Sequence, residues 1–357
     1  MRRVIALLVA VGLGASAIGC SSDTKPRAQA SQSASGSESV RGQTITLVTH
    51  DAFAVTDSVL KAFSDRTGIT VNVVKGGDAG AVVNQAILTK DHPQGDVLYG
   101  IDNTLLSKGL DAGLFDPYVS PSLSSTDRTF DLDAQHRITP VDESDVCVNY
   151  DKRATTVSSL DDLRKPEFKD KLVVENPATS STGLAFLVAT VAKFGEDHYL
   201  DYWRALKANG VKVDDGWDQA YNNDFTLGSG GTGSRSVVVS YATSPPADAL
   251  FATPPKTTSD VGSVDDGCFR QIEFVGVLKG TSHSAAAHAF IDFMLSKAFQ
   301  EDMPEQMFVY PVRTDAALPE LFTSLAAKPA HPVDVPQDQI SANREKWIRD
   351  WTAAVLG

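Results

Sequence analysis

The loop Thr179–Gly183 combines hydroxyl side chains and a glycine at the start of an apolar segment. It follows the strand-like residues 172–175 and leads into residues 184–194, which have the composition of a buried helix. Free main-chain N–H groups at a helix start bind anions, and the hydroxyl groups of Ser180 and its neighbours add donors. The same residue types are also ordinary helix caps. The sequence leaves both interpretations open, an anion site and a simple cap.

A second glycine-rich loop, residues 228–234, resembles a phosphate-binding loop only superficially. It has no lysine before its final hydroxyl residue, and it precedes a strand-like segment, whereas a phosphate-binding loop opens a helix. We interpret it as a surface loop.

Aromatic residues are concentrated where strand ends and helix starts should converge. Trp217 and Tyr221 are four residues apart on one predicted helix face, and Tyr241 ends a predicted strand. Phe308 and Tyr310 complete the group. Stacking on a flat or cationic ring contributes ~0.5–2 kcal/mol per good contact. Each ring alone is explained better by core packing, but together they modestly favour a ligand site.

Other polar patterns give little sign of catalysis. Asp142, Glu143 and Asp145 indicate either a pocket that favours a cation or a solvated acidic loop. His283 and His288 are five residues apart, a spacing that does not place two metal ligands on one helix face. The sequence contains no Gly-x-Ser-x-Gly and no His-Glu-x-x-His pattern. We therefore predict no enzyme activity, no metal and no cofactor.

The amino terminus has the pattern of an export signal. Arg2 and Arg3 precede the apolar residues 4–18, and small residues lead to Cys20. Cleavage before Cys20 would leave its thiol to carry a lipid, so residues 1–19 are predicted to be a lipoprotein signal peptide. The alternative is an ordinary secretory signal with an incidental cysteine. Residues 20–42, rich in Ser, Ala and Gln, are predicted to be a flexible tether.

Composition limits the possible partners. The chain has 45 acidic and 32 basic residues, which argues against nucleic acid because such binders need a basic surface. With Cys20 lipidated, Cys147 and Cys268 form an even pair in an oxidising compartment. We hypothesise a disulfide between them; two buried free thiols are the alternative.

The order of predicted elements gives the fold class. Residues 44–111 read β-α-β-α-β, which implies a parallel sheet with ligands at the carboxyl ends of its strands. An extended segment, 137–150, leads to a second α/β pattern. We predict two α/β domains joined by crossover strands with a ligand cleft between them. Lobe I would comprise 43–143 and 270–312, lobe II 144–269, and residues 313–357 would form C-terminal helices packed on lobe II.

Several segments, in order along the chain, are similar to those of thiamine-binding proteins of bacterial ABC importers, within the two-lobed periplasmic-binding-protein (type II) fold family. The matching segments are Gly77–Gly80, Gly95–Val97, Gly100–Thr104, Val148–Lys152, Asn176–Gly183, Gly216–Tyr221, Ser240–Pro245, Val309–Val312 and the tail around Trp347 and Trp351.

The resemblance implies a solute receptor, which the lipid predicted on Cys20 would anchor to the outer face of the cell membrane. It would bind thiamine or a thiamine phosphate between the lobes and deliver it, as a monomer, to permease subunits. The residues carried over as ligand contacts are Asp51, Asp78, Gly80, Ser180, Gly183, Trp217, Tyr221, Tyr241 and Tyr310. This sequence departs from the family at His50, where a tyrosine is expected, and at Phe308, where a tryptophan is expected. A receptor for ferric ion, a phosphonate or a polyamine is the alternative, and an exported enzyme is a more distant one; no Tyr-Tyr pair of the iron-binder kind occurs.

Overall fold

A computed structural model describes residues 40–228 and 232–357. The predicted signal peptide, Cys20, most of the tether and the centre of the 228–234 loop lie outside these residues. The elements in chain order are β1 (Thr44–Thr49), α1 (Asp57–Thr67), β2 (Thr70–Lys75), α2 (Ala79–Leu88), β3 (Val97–Asp102), α3 (Leu106–Asp111), β4 (Phe115–Asp116), β5 (Thr139–Asp151), β6 (Leu172–Glu175), α4 (Ser181–Phe194), α5 (Tyr199–Ala208), β7 (Lys212–Asp214), a π-helix (Gln219–Asp224), β8 (Val237–Tyr241), α6 (Ser244–Phe251), β9 (Val261–Leu278), α7 (Ser284–Met294), α8 (Lys297–Gln306), β10 (Tyr310–Pro311), α9 (Glu320–Leu325) and α10 (Gln337–Val355).

The strands form a mixed sheet in the order β2-β1-β3-β9-β5-β8-β6-β7, with β4 paired to β9 and β10 paired to β5. At one end β1 lies parallel to both β2 and β3, and at the other β6 lies parallel to both β7 and β8. Each end is therefore a parallel α/β unit, as predicted for this fold class. The two long strands β5 and β9 join the ends and run antiparallel to each other.

Local sequence explains most of these elements. Helix α4 is apolar along its length and its residues 181–191 are buried, whereas α1 buries Phe63 and exposes its charged face. Gly68 ends α1 with a φ of 74°, a left-handed conformation that glycine adopts without steric cost. Val40 packs in the core beside β1, so the structure places the last residues of the predicted tether in the folded body.

The crossover strand β9 is longer than its local sequence pattern indicates. A strand-like composition starts only at Phe269, but β9 begins at Val261. Residues 261–268 contain two glycines and two aspartates, which are uncommon in strands, so the local sequence does not indicate one. The register of β9 against β5 shifts between Val146 and Val148. Cys147 and Cys268 lie at this break and are joined by a disulfide.

The acidic group on β5 is neither a cation pocket nor a solvated loop, the two interpretations that the sequence offered. All three carboxylates are buried in the strand. Arg270 of β9 pairs with Glu143 at 3.2 Å and with Asp145 at 2.6 Å. The side chain of Asp142 contacts Tyr99 instead. Side chains alternate between the two faces of a strand, so Asp142 lies on the opposite face from Glu143 and Asp145. The sequence did not show which residues each face meets, because these come from other strands.

The tail ends in the long helix α10, which packs against α5 and α4. Trp351 meets Trp203 of α5 edge to face at 5.4 Å, and Trp347 donates a hydrogen bond to Glu196. Arg344 reaches back to Thr104 between β3 and α3. Within the described ranges, no helix is both long enough and apolar enough to cross a membrane.

Candidate functional site

A cavity of about 1090 Å³ lies between the two parallel ends of the sheet. Its walls come from the segments that follow the carboxyl ends of β1, β2, β7 and β8, together with the start of α4 and the segment after α8. This is the location that an open α/β sheet reserves for a ligand.

Asp78 joins the two walls of the cavity. It caps α2, and its carboxylate accepts a hydrogen bond from the main-chain N–H of Ser181 at 3.1 Å and of Trp217 at 2.9 Å. Burial raises the pKa of Asp78, and these two hydrogen bonds hold part of that rise back. The carboxylate thus lies at the start of α4, where the sequence suggested an anion site.

Two glycines allow the backbones to approach closely near this point. A Cβ on Gly80 would lie 2.5 Å from the carbonyl oxygen of Thr179, and Ala81 donates a main-chain hydrogen bond to the same oxygen. A Cβ on Gly183 would lie 2.5 Å from the carbonyl oxygen of Glu175. Both positions exclude a side chain, and Gly80 does so at the contact between the two walls.

Three aromatic rings line one wall. Trp217 stacks on Tyr221 with ring centroids 5.0 Å apart and planes 13° apart. The Trp217 indole N–H donates to Ser240, which fixes the plane of the ring. Tyr241 lies 6.1 Å from Trp217, and its hydroxyl lies within hydrogen-bonding distance of Thr182 and Gln271. These rings form an aromatic surface, fixed by hydrogen bonds, on which a planar ligand can stack.

The mouth of the cavity carries a second aromatic contact. Phe251, at the end of α6, meets Phe308 edge to face with centroids 5.4 Å apart. Phe308 has a φ of 56°, which is uncommon for a bulky residue and is maintained only where the surroundings require it. The exposed side chain of Phe251 extends this contact into solvent.

The floor of the cavity holds a buried polar network. His50 Nε2 lies 3.6 Å from Glu273, and the Tyr99 hydroxyl lies 3.0 Å from Glu273 and 2.5 Å from Asp142. Burial alone would lower the pKa of His50, but attraction to Glu273 raises it above its usual value. Burial and repulsion by Glu273 raise the pKa of Asp142 well above its usual range. Burial also raises the pKa of Glu273, but attraction to His50 outweighs it, so the pKa of Glu273 lies below its usual value. Of the two carboxyl groups, Asp142 is thus the one whose environment favours the protonated form.

The cavity is acidic. Among the described lining residues, three Lys or Arg side chains, besides His50, face seven carboxylates: Asp51, Asp78, Asp215, Asp218, Asp248, Asp260 and Glu273. Each of the three basic groups already has an oxygen partner in the protein. Arg153 forms a two-pronged pair with Asp151, Lys256 contacts Asp260, and Lys75 donates to the carbonyl oxygen of Asp51. The excess of carboxylates in the lining favours a cationic ligand.

The structure brings five of the predicted contacts together in the lining: Asp51, Asp78, Trp217, Tyr221 and Tyr241. Ser180 is buried and caps α4 by accepting from the Gly183 N–H. Gly80 and Gly183 have the close backbone contacts described above. Tyr310 lies in β10 beside Glu143, away from the lining, where its ring packs edge-on against Phe322 at 4.9 Å. Burial raises the pKa of Tyr310 to about 12.

Glu273 and Phe251 are among the lining residues that sequence reasoning missed. Glu273 is a carboxylate inside the apolar run 272–278, and a lone charge within a buried strand is a signal that could have identified it. Phe251 had no such signal, because its contact with Phe308 joins residues that are distant in sequence. In the part of the chain that the structure describes, no group of three or more His, Cys, Asp or Glu side chains is arranged to hold a metal ion.

The fold and this interlobe cavity define a class of binding protein, and the chain belongs to the bacterial extracellular solute-binding protein family, which residues 93–335 match. It is 29% identical over 318 residues to the thiamine-binding periplasmic protein of Salmonella typhimurium, covering 87% of this chain and 93% of that one. The protein of the same description from Escherichia coli is 27% identical over 318 residues, with the same coverage.

A solved structure described as a periplasmic thiamin binding protein is similar as well. It superposes with a TM-score of 0.76 and 25% identity, over 87% of this chain and 96% of that one. These relatives are binding proteins by description, and the likeness extends over both ends of the sheet.

Proposed function

We propose that this protein is the extracytoplasmic receptor of an ABC importer and that it binds thiamine, or a phosphate ester of thiamine, in the interlobe cavity. The observation that carries the proposal is the stacked Trp217–Tyr221 wall beside an excess of carboxylates. Thiamine has a planar pyrimidine and a positively charged thiazolium ring, so its two chemical features match the two features of the cavity. The descriptions of the relatives support the same ligand.

The binding mechanism follows from the contacts across the cavity. Two lobes with the predicted boundaries would rotate about β5 and β9, and the Asp78 and Gly80 contacts would form on closure. The closed receptor would then dock on the permease, and opening would release the ligand. Small-angle scattering should show compaction at saturating thiamine; identical profiles with and without thiamine would contradict this mechanism.

Binding is tested by calorimetry with thiamine, its mono- and diphosphate, ferric ion and a phosphonate. We expect a Kd for at least one thiamine compound below about 10 µM, or about 7 kcal/mol of binding free energy. If ferric ion or the phosphonate binds and the thiamine series does not, the ligand assignment fails while the receptor role stands.

We also propose that the chain is exported and held at the outer face of the membrane by a lipid on Cys20. The support is the signal pattern before Cys20 and the acidic receptor that follows it. Metabolic labelling with palmitate should mark the wild type and not the Cys20→Ser variant. Equal labelling of both proteins would rule out this anchor.

We propose that the receptor acts as a monomer and catalyses no reaction on its ligand. The support for the second point is that its relatives are described as binding proteins. Light scattering should give the monomer mass with and without thiamine. Bound thiamine should be recovered chemically unchanged after denaturation, and recovery of a cleaved product would show an enzyme.

A further inference from the structure

A buried chain of hydrogen bonds connects Tyr241, in the cavity lining, to the end of β3. The Tyr241 hydroxyl lies 2.9 Å from Oε1 of Gln271, and Nε2 of Gln271 donates to Oδ2 of Asp102 at 2.7 Å. Gln271 and Asp102 are both buried, and neither lines the cavity. Tyr241 belongs to predicted lobe II and the other two residues to predicted lobe I, so the chain crosses the predicted boundary.

The main chain on either side of Gln271 is fixed by Asn103. The Asn103 side chain donates from Nδ2 to the carbonyl oxygen of Arg270 at 2.9 Å, and its Oδ1 accepts from the N–H of Ile272 at 3.1 Å. The Asn103 N–H also donates to the Ile272 carbonyl oxygen. The adjacent residues Asp102 and Asn103 thus hold one glutamine, the first by its side chain and the second by its neighbours.

Asp102 can only accept hydrogen bonds. Its Oδ1 accepts from the Thr104 N–H at 3.1 Å, the Thr104 hydroxyl at 2.7 Å and the Leu105 N–H at 3.0 Å. Burial raises the pKa of Asp102 to about 6, and the bonds from Gln271 and Thr104 hold back a further rise, so the group is ionised at pH 8. An ionised carboxylate has no proton to donate, so Oδ2 requires a donor.

This requirement sets the direction of the whole chain. The donor to Asp102 is the NH2 group of Gln271, so the amide oxygen of Gln271 faces Tyr241. The Tyr241 O–H must then donate to that oxygen. What the Tyr241 oxygen offers on its other side is a lone pair.

From this geometry we infer that Gln271 and Asp102 are positioning residues, which hold Tyr241 with its hydroxyl oxygen as a hydrogen-bond acceptor on the cavity side. The inference rests on the proposed function, because Tyr241 is a ligand contact only if the cavity binds thiamine. In this structure the Thr182 hydroxyl, 3.1 Å away, is the donor that meets this oxygen. An N–H or O–H group of a ligand would meet it in the same way.

An exchange of the carboxylate and the amide tests the direction of the chain. Asp102→Asn keeps one oxygen for Thr104 and Leu105, so its NH2 group faces Gln271. The Gln271 amide must then turn, and its own NH2 group donates to Tyr241, which reverses the polarity of the hydroxyl. Adding Gln271→Glu to Asp102→Asn restores the polarity, because the introduced carboxylate accepts from both neighbours. This double variant has the net charge of the wild type.

Calorimetry with thiamine on the mature protein at pH 8 measures the effect. We expect Asp102→Asn to weaken binding about tenfold and the double variant to return to within about threefold of the wild type, because buried hydrogen bonds are lost and then regained. The matched control Asp91→Asn removes the same charge from an exposed position outside the lining and should bind as the wild type does. A double variant as weak as Asp102→Asn, or an equal loss in the control, overturns the inference.

A second test needs no variant of Asp102 to fold. Gln271→Met breaks the chain with a side chain of similar size, and Tyr241→Phe removes the hydroxyl but keeps the ring. If Gln271 acts through that hydroxyl, Gln271→Met should weaken thiamine binding about tenfold alone but less than about twofold when added to Tyr241→Phe. A full further loss in the Tyr241→Phe background would show that Gln271 acts on the fold, and would contradict the inference alone. If the wild type does not bind thiamine, the inference and the proposed function both fail.

Discussion

Phe251 and Phe308 meet edge to face at the mouth of the cavity, with their ring centroids 5.4 Å apart. One ring belongs to the last residue of α6 and the other follows α8, so the contact spans the cleft. Both rings line the cavity. We therefore expect this pair to lie on the route by which a bound ligand would leave.

Removal of Phe251 should therefore speed release. Phe251→Ala is expected to raise the dissociation rate of thiamine by about twofold to tenfold, because an aromatic pair contributes about 0.5–1.5 kcal/mol. Stopped-flow fluorescence measures the rate. Leu88→Ala, an even more exposed apolar position outside the lining, is the control and should release thiamine as the wild type does. An unchanged rate in Phe251→Ala would show that the mouth does not limit release.

Trp217 should contribute stacking energy to binding. Trp217→Ala is expected to weaken thiamine binding by ~0.5–2 kcal/mol, measured by calorimetry, because the variant loses the ring that stacks beside the ligand. Trp217→Phe keeps a ring but loses the hydrogen bond from the indole N–H to Ser240. Its affinity for thiamine should therefore lie between those of the wild type and Trp217→Ala. If Trp217→Ala binds thiamine normally, the indole belongs to the core and not to the site.

Binding of thiamine should weaken as the pH falls toward 6, because the pKa of His50 is raised above 6.5. Protonation adds a positive charge to a cavity that holds a cation, and repulsion of this kind in a partly buried site costs on the order of 1 kcal/mol, or roughly fivefold in Kd. His50→Gln should remove this pH dependence. A variant with the wild-type pH profile would place the titrating group elsewhere.

His50 should act in the opposite sense on folding. The raised pKa means that the attraction between His50 and Glu273 stabilises the unliganded protein fully below pH 6.5 and is lost as the pH rises through the folded-state pKa. Thermal melts should show that His50→Gln lowers the melting temperature more at pH 6 than at pH 8. An equal loss at both values would exclude a charge effect.

The disulfide should be a major source of stability. Cys147 and Cys268 are separated by 121 residues, and closing a loop of that length stabilises the fold by about 4–5 kcal/mol in the chain-entropy view. Reduction, or the double change Cys147→Ser with Cys268→Ser, should lower the free energy of unfolding by that amount. Denaturant titration measures this free energy. Mass spectrometry of non-reduced peptides supplies the control, and free thiols at both positions would contradict the bond.

Gly80 should be required for closure. Gly80→Ala puts a Cβ 2.5 Å from the carbonyl oxygen of Thr179, so the walls cannot approach fully and thiamine binding should weaken at least tenfold. Scattering should show less compaction with ligand. Gly76→Ala, whose Cβ would meet only the flexible Val82 side chain at 3.3 Å, should bind normally. Equal effects of the two changes would argue against a role in closure.

The fold was largely predictable because its elements have strong local periodicity. The β-α-β-α-β start and the apolar α4 appear in the sequence as they do in the structure, and the resemblance supplied the connection between the two ends. The early part of β9 was not predictable from local pattern. Its glycines and aspartates are typical of turns, and only pairing with β5 makes Val261–Gly267 a strand.

The site was predictable only where it follows strand ends. Asp51, Asp78 and Tyr241 come directly after or at the end of strands, so topology alone brings them together. Tyr310 is also in a strand, but its pairing with β5 directs it to Phe322. The paired carboxylates of Asp142 and Glu273 depend on contacts between distant strands, which one sequence does not contain.

The bond between Cys147 and Cys268 has a mechanical consequence. It fastens β5 to β9 at one of the two places where their register shifts, so neither strand can slide along the other there. With sliding blocked, relative movement of the two ends is restricted to bending and twisting of a tied pair of strands. Any rearrangement in this protein should therefore be a rotation with a fixed pivot, and not a shear between layers.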